Sequence, residues 1–155
     1  MSTVTFILKK PRLSTLVDQP GGTSTRSALK AVNEALEPLR AEGHARVGLA
    51  ISELEAALAE ADRTPRDALL TLLYARATAV LDAAGPFGLD DLCRAAFSLC
   101  ELADRYGRND RPVDVRGVAV HVQALRLLHG SADMPAEARS AVLDGLARVL
   151  ERLPG

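Results

Sequence analysis

Apolar side chains recur every three or four residues along most of the chain, which is the spacing of amphipathic helices. The clearest stripe predicts a helix, the second of the chain, from about His44 to Asp62. Its apolar positions are Val47, Ala50, Ile51, Leu54, Ala57, Leu58 and Ala61. Later stripes predict helices over about 65–84, 89–106, 112–130 and 135–150, joined by short connections that favour antiparallel neighbours. The pattern predicts an all-α antiparallel bundle of about six helices, with helices three, four and five at its centre.

Local signals mark several helix ends. Ser24 follows two glycines and can cap the first helix. Thr64 is the predicted cap of the third helix, with Pro65 at the first helical position and Asp67 as the partner in a capping box. His129 lies at the end of the fifth predicted helix, where a cation suits the helix dipole.

The first helix carries a proline within its apolar stripe. The stripe consists of Ala28, Val32, Ala35, Leu36 and Leu39. Pro38 interrupts it, and a proline inside a helix removes one backbone hydrogen bond and crowds the preceding turn. We therefore expect the first helix to kink or end near Glu37, before the second helix begins.

Residues 1–22 lack helical periodicity and contain two prolines and a Gly-Gly pair. The sequence predicts an extended N-terminal arm over 1–22 and a helical bundle domain over 23–155. The arm mixes cations with apolar anchors, and such a segment cannot form a core by itself. It either packs on its own bundle or docks on another chain, and exchange within a homodimer is one form of docking. The candidate partner-binding residues are Lys9, Lys10, Arg12, Leu13, Leu16 and Val17.

Composition and charge narrow the function classes. With 155 residues, 48% of them apolar and 25% charged, the chain has the composition of one globular domain. A net charge of −1 argues against a generally basic nucleic-acid-binding protein. The first residues lack the pattern of a signal peptide, and no apolar run has the length of a membrane span. We therefore expect a cytoplasmic protein without membrane insertion.

Few residues offer chemistry. Cys93 and Cys100 lie about 10 Å apart on one predicted helix, too far for a disulfide, and are expected to be buried thiols. No histidine or cysteine pair has metal-ligand spacing, so we expect no metal and no cofactor. His44 is expected to be solvated. His121 is the one candidate for phosphotransfer, but its helical neighbours are small or apolar, which favours a partly buried structural histidine.

Three stretches of the chain are unusual as strings: PRLSTLVDQPGG at 11–22, AGPFGLDDLC at 84–93 with AAFSLC at 95–100, and VAVHVQALRLL at 118–128. Together they resemble the small CheE proteins, which are found beside chemotaxis genes in alphaproteobacteria. The resemblance covers most of the chain. It implies a place in chemotaxis or two-component signalling rather than a particular reaction.

The expected function is therefore that of a non-enzymatic adaptor that binds a response regulator, a kinase or another signalling protein. One alternative is a histidine phosphotransfer component that uses His121. Another is a response-regulator phosphatase, which needs an amide and an acidic group on one helix face. Of the four amide side chains in the chain, only that of Asn33 has a carboxylate at helical spacing, which belongs to Glu37. A third is a structural homo-oligomer, which would expose a large apolar patch closed by symmetry.

Overall fold

The structure is a computed structural model that describes residues 24–109, 112–131 and 133–152. These residues form five α-helices and no β-strand, which confirms the all-α prediction. The helices are α1 (Thr25–Ala59), α2 (Arg66–Ala84), α3 (Asp90–Arg108), α4 (Val115–Gly130) and α5 (Ala136–Glu151). Short 3₁₀ turns, Ala61–Arg63 and Gly85–Phe87, join the first three helices. The predicted arm over 1–22 and its boundary with the bundle domain lie outside the described residues.

The predicted helix end near Glu37 is wrong, because α1 runs from Thr25 to Ala59 and includes Pro38. The two helices predicted on either side of Pro38 are therefore one, which accounts for five helices in place of six. A proline removes only its own N–H, and the unpaired carbonyl belongs to exposed Glu34, where water can bond to it. Pro38 is instead the last residue of the first of two compact units, which are residues up to Pro38 and Leu39–Gly155.

In the first unit, the described residues form the start of α1. The backbone N–H of Ser27 donates to Oγ of Ser24 at 3.1 Å, so the predicted cap is confirmed. The apolar stripe of this part of the helix is mostly exposed: Val32 exposes 54% of its surface, and Leu36 is half-buried. Helical spacing in the sequence identifies the apolar stripe but does not show whether other residues cover it.

The second unit contains the hydrophobic core. α3 packs against α2, α4 and α5. Residues that are fully or almost fully buried include Val47, Ile51, Leu54, Leu73, Val80, Leu99, Leu102, Val118, Val122, Leu125 and Leu146. The predicted stripes of the second and fifth helices thus supply core residues, as expected from their period.

Pairs of side chains fix the direction of neighbouring helices. Glu53 of α1 pairs with Arg76 of α2 at 3.1 Å, and the two helices are antiparallel, since Gly43 of α1 lies beside the Phe87 ring that follows α2. α3 and α5 run parallel, because contacts join Asp91 to Arg139 near their first turns and Arg105 to the Leu150 carbonyl near their last. The helices α1 and α2, which are neighbours along the chain, are therefore antiparallel, whereas α3 and α5 are parallel.

Two predicted helix starts need correction. Thr64 does not cap α2; its hydroxyl donates to the Glu60 carbonyl at 2.9 Å. Pro65 has the extended backbone of a flanking residue, so α2 begins at Arg66. The fifth predicted helix begins at Val115 rather than Pro112, because the Asp114 carboxylate accepts from the N–H of the second helical residue at 3.0 Å.

The segment Arg66–Phe87, with a mean hydropathy of 1.3 over its most apolar window, is long and apolar enough to cross a membrane. The sequence pattern predicts no run of that kind. A core helix of a soluble protein meets the same criterion, and a third of this window is buried against the rest of the chain. Length and composition therefore do not distinguish the two roles for this helix.

Candidate functional site

The histidine singled out from the sequence, His121, lies in the core with no exposed surface. It is on the face of α4 that packs against α3, and its neighbours on α4 are small or apolar. Its Nδ1 lies 2.9 Å from the Gly117 carbonyl oxygen, and its Nε2 lies 3.0 Å from Oγ of Ser98 on α3. Both ring nitrogens therefore have partners inside the protein.

These partners fix the tautomer of His121. A carbonyl oxygen can only accept, so Nδ1 carries the proton and donates to Gly117. Nε2 is then an acceptor, and the Ser98 hydroxyl donates to it. Burial lowers the pKa of His121, and the bond to the Gly117 carbonyl opposes that shift only in part. The ring is thus held neutral in a fixed orientation.

Phosphotransfer requires an imidazole nitrogen that faces solvent and a receiver domain. Neither nitrogen of His121 does so, because one is bonded to Gly117 and the other to Ser98. Ala124 and Leu125 also occupy the positions at which phosphotransfer families commonly carry Lys and Gly. The geometry matches the expected structural histidine and lacks the access that a phosphoryl carrier needs.

The sequence gives no signal for the contact between Ser98 and His121, because the two residues are 23 positions apart and lie on different helices. A hydroxyl bonded to an imidazole is also the first part of a nucleophile and base pair. Here the other ring nitrogen is oriented by the Gly117 carbonyl and not by a carboxylate, and Ser98 lines neither the groove between α1 and α2 nor the groove beside Arg94. The pair serves as a polar bridge that joins α3 to α4.

A pair of stacked histidines lies between α1 and α4. The rings of His44 and His129 stack with their centroids 3.9 Å apart, and Nε2 of His129 donates to the His44 carbonyl oxygen at 3.0 Å. Gly48 makes room, since a Cβ there would lie 3.3 Å from Cε1 of His129. Burial is the main reason that the pKa of His129 is lowered, so the cation expected at this helix end is disfavoured.

Beside this pair, Arg126 of α4 holds α1 through a two-pronged ion pair. Its Nε and Nη2 donate to the two carboxylate oxygens of Glu55 at 2.9 and 2.6 Å, and Nη2 also donates to Ser52 at 2.9 Å. The hydrogen bonds from Arg126 lower the pKa of Glu55. These residues are partly exposed, so the cluster orients the two helices more than it stabilises them.

The two cysteines are free thiols, as expected. Cys100 is buried and Cys93 is half-buried. Burial raises the pKa of both, and the Asp90 carboxylate adds to the effect at Cys93. A raised pKa keeps a thiol protonated, so neither residue is an activated nucleophile.

The other predicted site residues are placed as follows. The candidate partner-binding residues of the arm lie outside the described residues: Lys9, Lys10, Arg12, Leu13, Leu16 and Val17. Asn33 and Glu37, the pair on which the phosphatase alternative depends, are exposed one turn apart on α1. Within the described ranges, no group of three or more His, Cys, Asp or Glu side chains could hold a metal ion.

Open grooves and several exposed apolar side chains lie on the surface of the second unit. One groove, of about 360 Å³, lies between α1 and α2 and is bordered by Leu49 and the ion pair of Glu53 with Arg76. Another lies between α3 and the start of α5, beside Arg94. One turn from Arg94, the Phe97 ring exposes 64% of its surface. Exposed aromatic rings of this kind are common anchors in protein interfaces.

Comparison with known proteins finds no matching protein-family model, no similar curated protein and no similar solved structure.

Proposed function

We propose that this chain is a non-enzymatic adaptor of bacterial chemotaxis or two-component signalling. Its partner is a response regulator, a kinase or another signalling protein. The pathway is inferred from the three stretches that resemble the CheE proteins. The proposal places the protein in the cytoplasm and requires no cofactor, metal or nucleic acid.

The burial of His121 is the observation that favours binding over phosphotransfer. The ring exposes no surface, and its two nitrogens already bond to Gly117 and Ser98. Phosphorylation on Nε2 would need the Ser98 bond to break and a charged group to enter the core, which is costly in an apolar interior. With its candidate histidine out of reach of a receiver domain, the protein acts in this proposal through contact with a partner.

The proposed binding surface combines the arm with polar edges of the outer helices. The arm contributes cations and apolar anchors, the mixture that a docking segment needs. In addition to those edges, the central helix α3 exposes Arg94 and Phe97, and Phe97 belongs to the second resembling stretch. A partner that covers Phe97 would remove a large apolar ring from water, which stabilises a complex.

Binding is tested by titrating purified kinases and receiver domains from the same organism into the labelled protein. Two triple variants separate the contributions of the arm: alanine at Lys9, Lys10 and Arg12, and alanine at Leu13, Leu16 and Val17. Lys30→Ala is the matched control, because it removes an exposed cation that pairs with Glu34. Each triple variant is expected to weaken binding about tenfold or more, and the control to leave it unchanged.

Two outcomes contradict the proposal. In one, the wild-type protein binds none of the kinases or receivers. In the other, the receivers lose phosphate faster in its presence and Asn33→Ala abolishes the effect, which assigns a phosphatase. Phe97→Ala is measured in the same titration, and unchanged binding would remove α3 from the proposed surface.

A further inference from the structure

The rim of the groove between α1 and α2 carries four charged side chains that alternate in sign. At one end Arg46 of α1 lies opposite Asp82 of α2, and at the other Glu53 of α1 pairs with Arg76 of α2 at 3.1 Å. Seven residues separate the two charges on α1, which places them about 10 Å apart along the helix. Going around the rim, the signs are therefore plus, minus, plus and minus.

Between its charged ends, the groove has a projecting side chain on α1 and an open space on α2. Leu49 of α1 exposes 62% of its surface between the two charged ends. On the α2 side, the lining consists of Ala79 and Ala83, whose short side chains leave the space open. A leucine beside alanines is the arrangement in which a second helix packs by inserting one side chain between others.

This pattern is complementary to itself. A two-fold axis parallel to the helices places α1 of one molecule over α2 of the other at the same level. Arg46 then faces Asp82 of the second copy, and Glu53 faces its Arg76. The same rotation places Leu49 of each molecule against the alanines of the other. The apolar contacts and the ion pairs therefore form in the same arrangement of the two copies.

We propose that the groove between α1 and α2 is the interface of a homodimer, with a second copy of this chain as its occupant. A rim of balanced charge favours a second copy over a strongly acidic or basic partner. Ion pairs within one molecule do not prevent these side chains from pairing across the dimer interface. Arg46 contacts Glu42 on its own exposed helix face, and pairs of that kind contribute little. The dimer is independent of the adaptor function proposed above.

The apolar part of the interface is tested by sedimentation equilibrium from micromolar to millimolar concentration. The wild-type protein is expected to reach twice the mass of one chain. Leu49→Glu places a charge at the centre of the interface and alters no buried residue, so the fold is retained. It should weaken the dimer on the order of a hundredfold, because the interface contains two copies of the leucine.

Leu127→Glu is the matched control. Leu127 is an exposed leucine on α4, outside the groove, and its surface is 46% exposed. The same charge placed there should leave the dimer unchanged. Equal loss of dimer in both variants would overturn the assignment of this groove, as would a wild-type protein that stays monomeric at every concentration.

Charge reversal tests the proposed orientation. Arg46→Asp and Asp82→Arg each bring like charges together across the two-fold axis, so each variant alone should be monomeric where the wild type is dimeric. An equimolar mixture restores both pairs and should form a heterodimer. Dimerisation of either single variant as tightly as the wild type, or a mixture that stays monomeric, would overturn the placement of α1 over α2.

Discussion

The buried, neutral state of His121 predicts how stability depends on pH. A histidine of the unfolded chain titrates near pH 6.5, whereas burial lowers the pKa of His121 in the folded protein. Below about pH 6.5 the unfolded state therefore binds a proton that the folded state does not. The free energy of unfolding falls as the pH drops through this value and continues to fall until the folded pKa is reached.

The magnitude follows from the linkage between protonation and folding. If the folded ring remains neutral, lowering the pH from about 7.5 to about 5.5 destabilises the protein by about 1.4 kcal/mol through His121 alone. In urea this corresponds to a midpoint lower by roughly 0.5–1 M for a domain of this size. His129 shifts in the same direction, but the ring is only half-buried, so its contribution is smaller.

His121→Asn isolates the contribution of the buried ring. Asparagine does not titrate and retains a donor that can reach the Gly117 carbonyl, although it loses the bond to Ser98. At about pH 7.5 the variant should be about 2–3 kcal/mol less stable than the wild type. Because only the wild type loses stability through His121, that gap should narrow by about 1.4 kcal/mol at about pH 5.5.

Urea titrations followed by circular dichroism at both pH values measure the gap directly. A gap of constant size would mean that His121 titrates alike in the folded and unfolded states, as a solvent-facing ring does. A gap that widens on acidification would mean that the folded protein holds an imidazolium. Either result would contradict the burial argument.

Further predictions concern packing and ion pairing. Gly43→Ala should destabilise the protein by about 1–3 kcal/mol, since a Cβ there overlaps the Phe87 ring. Thermal unfolding of the variant and the wild type measures this difference in stability. Gly145→Ala, where a Cβ meets open space within α5, should instead raise stability by about 0.5–1 kcal/mol. A double-mutant cycle on Glu55 and Arg126 should give a coupling of about 0.5–1 kcal/mol that decreases in high salt; zero coupling would contradict the two-pronged geometry.

Much of the second unit could be predicted from the sequence because helix formation is encoded locally. The stripe that contains Val47, Ile51 and Leu54 has a helical period, and the structure buries all three residues. The continuity of α1 through Pro38 could not be predicted, because the penalty of a proline depends on whether water reaches the unpaired carbonyl. The exposed stripe around Val32 shows the same limit, since periodicity identifies a face and not what covers it.

The site could be predicted only one residue at a time. The apolar neighbours of His121 on its own helix indicated burial, and that expectation is met. Its partner Ser98 is on another helix, and His44 and His129 are 85 residues apart. Contacts of this kind arise from tertiary packing, for which a single sequence has no periodic signal. The alternating charges around the groove are hidden for the same reason, since two helices contribute them.

We propose that the protein binds a partner without carrying phosphate on His121. A phosphotransfer assay tests it most directly: the protein and His121→Ala are incubated with autophosphorylated kinases and phosphorylated receivers of the same organism. No label is expected on either form, and the lifetimes of receiver phosphate are expected to be unchanged. Label that moves to the wild type and not to the variant would contradict it and assign a phosphotransfer protein.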